Sequence, residues 1–85
     1  SYFFYEGIFK MRLEEWEIRE IKEAAKKIFG ENVRVFLFGS RVYDDKRGGD
    51  IDLYVITDNP SVERESEFWI ELQKRLGEQK IDIIL

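Results

Sequence analysis

Phe36-Leu37-Phe38-Gly39-Ser40-Arg41, followed after a polar loop by Gly48-Gly49-Asp50-Ile51-Asp52-Leu53-Tyr54, is the stretch whose reading decides the fold. It reads as strand, Gly-Ser turn, loop, strand. The run 33–38 is nearly all apolar and β-prone, which predicts a strand buried on both faces. It stops at Gly39-Ser40, where a glycine lets the backbone approach a ligand and a serine hydroxyl can hold phosphate oxygens. The second run, 50–56, alternates. Strand side chains switch faces at each residue, so Asp50, Asp52 and Tyr54 share one face while Ile51, Leu53 and Val55 share the other. Asp50 and Asp52 then stand about 6.6–6.8 Å apart at Cα, by strand rise. Two like charges side by side repel and lose hydration unless a cation lies between them, and a divalent metal ion is the economical explanation.

The string 39–55, GSRVYDDKRGGDIDLYV, resembles the signature of the polymerase-beta-type nucleotidyltransferases, a Gly-Ser followed about ten residues later by Asp-x-Asp. Its compactness is similar to the minimal nucleotidyltransferase branch. The resemblance implies an α/β (α+β) fold, a small mixed sheet of three or more strands flanked by two main helices. It also implies Mg²⁺ held by three carboxylates, and transfer of a nucleoside monophosphate, AMP from ATP, to a hydroxyl acceptor. For the small members it further implies a partner carrying a HEPN domain, in a toxin–antitoxin pair located in the cytoplasm.

Composition narrows the chemistry independently. The 85 residues make one small domain with no separate substrate-binding module, so the acceptor is expected from a partner or on an exposed face. A hydrophobic share of 44%, with seven Phe, four Tyr and two Trp, is enough for a core and excludes a disordered chain. No transmembrane run and no signal peptide is evident. The absence of cysteine excludes disulfides and a thiol nucleophile, and the absence of histidine removes the usual general base. Chemistry must then rest on carboxylates, hydroxyls and a metal. A formal charge of −4 disfavours nucleic-acid binding by the domain alone, because that rests on Lys and Arg neutralising phosphates. A basic partner surface suits it better.

Residues 1–10 form an aromatic N-terminal extension with two readings: a segment foreign to the native chain, which would start at Met11, or a short strand or apolar arm. Residues 11–85 form the domain. Across 12–29 the residues Leu13, Trp16, Ile21, Ala24, Ala25 and Ile28 recur at helical spacing, which predicts an amphipathic helix with Trp16 in the core and Gly30 as its stop. In the loop, Arg41, Lys46 and Arg47 either reach a triphosphate or remain solvated, Arg41 being best placed because it follows Gly-Ser directly; Asp44 and Asp45 read as turn residues. A second helix is predicted from about Pro60 or Ser61 to Leu76, with Val62, Phe68, Trp69, Leu72 and Leu76 on its apolar stripe and Gly77 at its end. Residues 80–85 read as a short buried strand carrying one acid, Asp82. An acid within an apolar strand needs a partner or a metal.

By order and surroundings, Asp82 matches the third carboxylate that the family carries on the next strand, facing the Asp-x-Asp pair. The resemblance thus assigns Asp50, Asp52 and Asp82 to catalysis and to two Mg²⁺ ions, and Gly39, Ser40 and Arg41 to the triphosphate. It further implies that Asp82 takes the acceptor's proton. The chain ends three residues after Asp82, sooner than a complete family member implies, so a further C-terminal piece is expected. A competing reading keeps the fold and makes the protein an antitoxin that masks its partner by binding, with little or no turnover. A third, transfer to a small molecule or to RNA, fits less well, because pocket walls and a basic surface are lacking.

Overall fold

The structure is a computed structural model and describes residues 4–6, 13–39 and 51–85. Its elements are β1 (Phe4–Glu6), α1 (Glu15–Phe29), β2 (Arg34–Gly39), β3 (Ile51–Ile56), α2 (Val62–Leu76) and β4 (Ile81–Ile84). The four strands form one mixed sheet in the order β1-β2-β3-β4: β1 runs parallel to β2, β2 antiparallel to β3, and β3 parallel to β4. This is the α+β architecture anticipated from the motif. Within residues 1–10, Phe4–Glu6 is the strand that pairs with β2.

Each helix is delimited by its own sequence. At the start of α1 the Glu14 amide donates to Glu17 Oε1 at 2.8 Å, half of a capping box, and Glu15 and Glu17 favour the positive end of the helix dipole. At the start of α2, Ser61 Oγ accepts from the Arg64 amide at 3.0 Å. Both helices end at a glycine with positive φ, 100° at Gly30 and 83° at Gly77, a conformation in which a Cβ would be strained.

A single core lies between the two helices and one face of the sheet. Ile21, Ala24, Ala25 and Phe29 enter it from α1, and Phe68, Leu72 and Leu76 from α2. The sheet supplies Val35 and Leu37, then Ile51, Leu53 and Val55, then Ile81. Phe29 meets Phe68 edge to face, with centroids 5.4 Å apart at 74°. On the surface the helices are tied by Glu71, which accepts from Lys27 Nζ at 3.3 Å and Arg75 Nε at 2.9 Å, while Arg75 also reaches Glu20 at 3.0 Å.

Four expectations from the sequence change here, the two on the strands because of where the helices sit and the two on the helices because of how narrow their contact is. Both helices pack on the same face of the sheet, so the other face has no helical cover among the described residues. Residues 33–38 are therefore not buried on both faces: Val33, Val35 and Leu37 are, but Arg34 is exposed and Phe36 half-buried. β4 is half-open rather than buried, with Asp82 and Ile84 exposed. Trp16 lies outside the core, 40% exposed, its Nε1 donating to Glu14 Oε1 at 3.1 Å; Glu17 is buried instead. Val62 and Trp69 likewise face outward, because the buried stripe of α2 is only Phe68, Leu72 and Leu76. An aromatic at helical spacing marks a stripe, but a stripe wider than the contact leaves its flanks in solvent.

Two predictions follow from this packing. Phe68→Ala should destabilise the fold by about 3–5 kcal/mol in urea denaturation, because it removes a fully buried ring and its partner for Phe29. The Arg75 hydrogen bond, aided by Lys27, holds the Glu71 carboxyl below its ordinary value. That lowered folded value contributes stability above the unfolded glutamate value, about 4.3, and the contribution is lost as pH falls through the folded value. Glu71→Gln should accordingly flatten the fall in melting temperature below that pH; an unchanged acid limb would show that the pair contributes nothing.

Candidate active site

The face of the sheet opposite the two helices carries the acids. In the parallel β3–β4 pair, Asp52 stands opposite Asp82, and in the antiparallel β2–β3 pair it stands opposite Phe38. Residues opposite one another on adjacent strands point to the same side, with strands about 4.7–4.9 Å apart, so the two carboxylates lie abreast on one face. Asp52 is half-buried and Asp82 exposed. No described Lys or Arg forms an ion pair with either of them. Two like charges abreast repel, and a cation between them relieves the repulsion.

The register that brings them together is fixed locally. The Gln73 side chain clasps the backbone of Gln79, its Nε2 donating to Gln79 O and its Oε1 accepting from Gln79 N, both at 3.0 Å. Gln79 Nε2 donates in turn to Leu76 O at 3.3 Å. The chain leaving α2 is thereby held as it enters β4, and Ile51 N–H donates to Lys80 O at 3.0 Å at the first rung of the ladder. Ile51 and Ile81 pair with their side chains in the core, which sends Asp52 and Asp82 outward together.

Gly39 ends β2 opposite Ile51, one residue from the Asp52 row. Ser40, Arg41 and Asp50 lie outside the described residues, as do Lys46 and Arg47. Among the described residues no three acidic side chains gather closely enough to hold a metal by themselves. The Asp52–Asp82 pair nevertheless fits Mg²⁺. Both are hard carboxylate donors, and that ion is commonly held by one or two carboxylates together with substrate phosphates and water.

Two features escaped the sequence reading. The first is a groove of about 480 Å³ between α2 and β4, lined by Glu65, Ser66, Trp69, Ile70, Ile81, Asp82 and Ile83. Asp82 therefore borders both the carboxylate row and the groove. Its one signal in the sequence was Trp69 beside Ile70, an aliphatic residue off the core stripe. The second is a cross-strand row of Phe36, Tyr54 and Ile84 on the face opposite the helices, next to the acids. The alternation of 50–56 did indicate that Tyr54 shares a face with Asp52, but its neighbours needed the register.

No helix among the described residues is long and apolar enough to cross a membrane. No curated protein and no solved structure gives a significant match to the chain. The family model described as "Nucleotidyltransferase domain" matches residues 18–85, from the first turns of α1 through β2, β3, α2 and β4, so that both Asp52 and Asp82 fall within the match. The chain belongs to the nucleotidyltransferase domain family.

Proposed function

We propose that this domain is a Mg²⁺-dependent nucleotidyltransferase that moves AMP from ATP to a hydroxyl group on a partner protein carrying a HEPN domain, acting in the cytoplasm as the antitoxin of a toxin–antitoxin pair. The observation that carries the catalytic part is the register pairing of Asp52 with Asp82 on the face opposite the helices, within a chain of this family. Asp52 and Asp82, together with Asp50, would hold the metal. Bound there, Mg²⁺ supplies charge neutralisation on the triphosphate and a template for in-line displacement.

The chain's own residues do the rest. Gly39 at the end of β2, with Ser40 and Arg41 after it, receives the triphosphate, where backbone N–H groups and a guanidinium suit phosphate oxygens. The acceptor oxygen forms its bond to the α-phosphorus as the bond to pyrophosphate breaks. A carboxylate oxygen of Asp82, exposed at the edge strand, takes the acceptor's proton. With no histidine in the chain, a carboxylate is the fitting acceptor for that proton.

Support for a protein partner comes from α2. Val62, Trp69 and Ile70 are 76%, 43% and 50% exposed, and the groove beside Trp69 leads to Asp82. A partner anchored there would present its hydroxyl at the carboxylate row, and the acidic chain favours a basic partner surface. The same surface favours a second reading, an antitoxin that masks its partner with little or no turnover.

Incubation with α-labelled ATP and a HEPN-domain acceptor separates the two. Asp52→Asn or Asp82→Asn should lower label transfer by about 10²-fold or more while the complex still elutes as one species on gel filtration. Transfer that persists in both variants would overturn the catalytic assignment, and a complete lack of transfer by the intact protein would favour masking.

A further inference from the structure

We infer that Gln73 is a positioning residue of the site: by clasping the backbone of Gln79 it sets where β4 begins, and so where Asp82 stands opposite Asp52. The inference rests on the metal-dependent nucleotide site proposed above and adds to it a residue that touches neither metal nor substrate. Gly77, Glu78, Gln79 and Lys80 link the end of α2 to the start of β4. The Gln73 carboxamide donates from Nε2 to Gln79 O and accepts at Oε1 from Gln79 N, both at 3.0 Å. One hydrogen bond leaves a peptide free to swing about it. A donor and an acceptor on one planar group fix position and orientation together. The next residue, Lys80, is held from β3, its O accepting from Ile51 N at 3.0 Å. Gln79 is thus gripped from α2 and Lys80 from β3, immediately before the rungs Ile51↔Ile81 and Asp52↔Asp82. Sliding β4 by one residue against β3 breaks both grips.

The clasp is anchored in turn. Gln79 Nε2 donates to Leu76 O at 3.3 Å, in the last turn of α2, and stands 3.5 Å from Glu17 Oε2 of α1. Glu17 is buried, and its other oxygen accepts from the Glu14 amide at 2.8 Å. Both helices therefore bear on the entry to β4. That strand is the last of the described sheet and pairs with β3 alone, while the repulsion between Asp52 and Asp82 acts to part the two strands. Carboxylates held at their spacing before an ion arrives lose less on binding it than carboxylates that must first be gathered. The role needs a donor and an acceptor on a side chain of this length. Glutamate has the length but only accepts, which sets a carboxylate against Gln79 O; methionine has the length and neither group. Both are good helix formers, so α2 is kept in either variant.

The test titrates Mn²⁺-ATP into the intact chain, with water-proton relaxation reporting protein-bound metal; Mn²⁺ takes the same oxygen donors as Mg²⁺. Gln73→Met and Gln73→Glu should weaken Mn²⁺-ATP by about tenfold, whereas Leu72→Val, which trims the core on the same helix and leaves the clasp alone, should bind within about twofold of the native chain. Amide exchange reads the strand itself: the β4 amides should exchange faster in the Gln73 variants than in Leu72→Val compared at equal stability. Native-like Mn²⁺-ATP affinity in both Gln73 variants, or an equal loss in Leu72→Val, would overturn the positioning role and leave the nucleotide site standing. Failure of the native chain to bind Mn²⁺-ATP would overturn the nucleotide site and this inference with it.

Discussion

The parallel register of β3 against β4 is the constraint on which the site depends. Ile51, Leu53 and Ile81 are buried under the helices, and the strand period of two then forces Asp52 and Asp82 to the opposite side, abreast. A slip of one residue would carry a carboxylate into the core and lift an isoleucine out. The side-chain clasp of Gln73 on Gln79 and the backbone bond from Ile51 to Lys80 hold the alignment at its start, and Gly77 lets the chain turn out of α2 toward it. Hydrophobic burial on one face thus supports an arrangement of like charges on the other that is unfavourable by itself.

The one-sided packing of the helices has a second consequence. A sheet with both faces covered would have to bury its carboxylates or pair them with cations, at a cost of several kcal/mol per ion. Here Asp82 remains exposed and Asp52 half-buried, and charged or polar groups can stay hydrated on the open side. On α2, Val62, Trp69 and Ile70 are exposed, and Trp69 and Ile70 line the groove that Asp82 borders. Among the described residues, the fold therefore separates a face that stabilises the domain from a face that carries the paired carboxylates.

Much of this was legible in the sequence. The alternation of 50–56 put Asp52 and Tyr54 on one face before any register was known, and Asp82 stood out as a lone acid within an apolar strand. Gly30 and Gly77 marked both helix ends, where they adopt positive φ. What was hidden was the direction of packing. An apolar run such as 33–38 looks the same whether one or both faces are covered, so Phe36 read as core although it lies half-open. Trp16, Val62 and Trp69 fall on helical spacing yet are not buried, because periodicity fixes an angle around the helix and says nothing of how wide the contact is. The groove beside Trp69 joins α2 to β4, and no pattern within either segment announces it.

The central claim is that paired carboxylates from β3 and β4 form a metal-dependent nucleotide site. Titration of ATP into the native chain with Mg²⁺ and then with a chelator, repeated on Asp82→Asn, tests it most directly. Saturable binding that requires Mg²⁺ and is lost or weakened by about tenfold or more in Asp82→Asn is the predicted result. ATP binding of equal strength with chelator, or unchanged in Asp82→Asn, would contradict it.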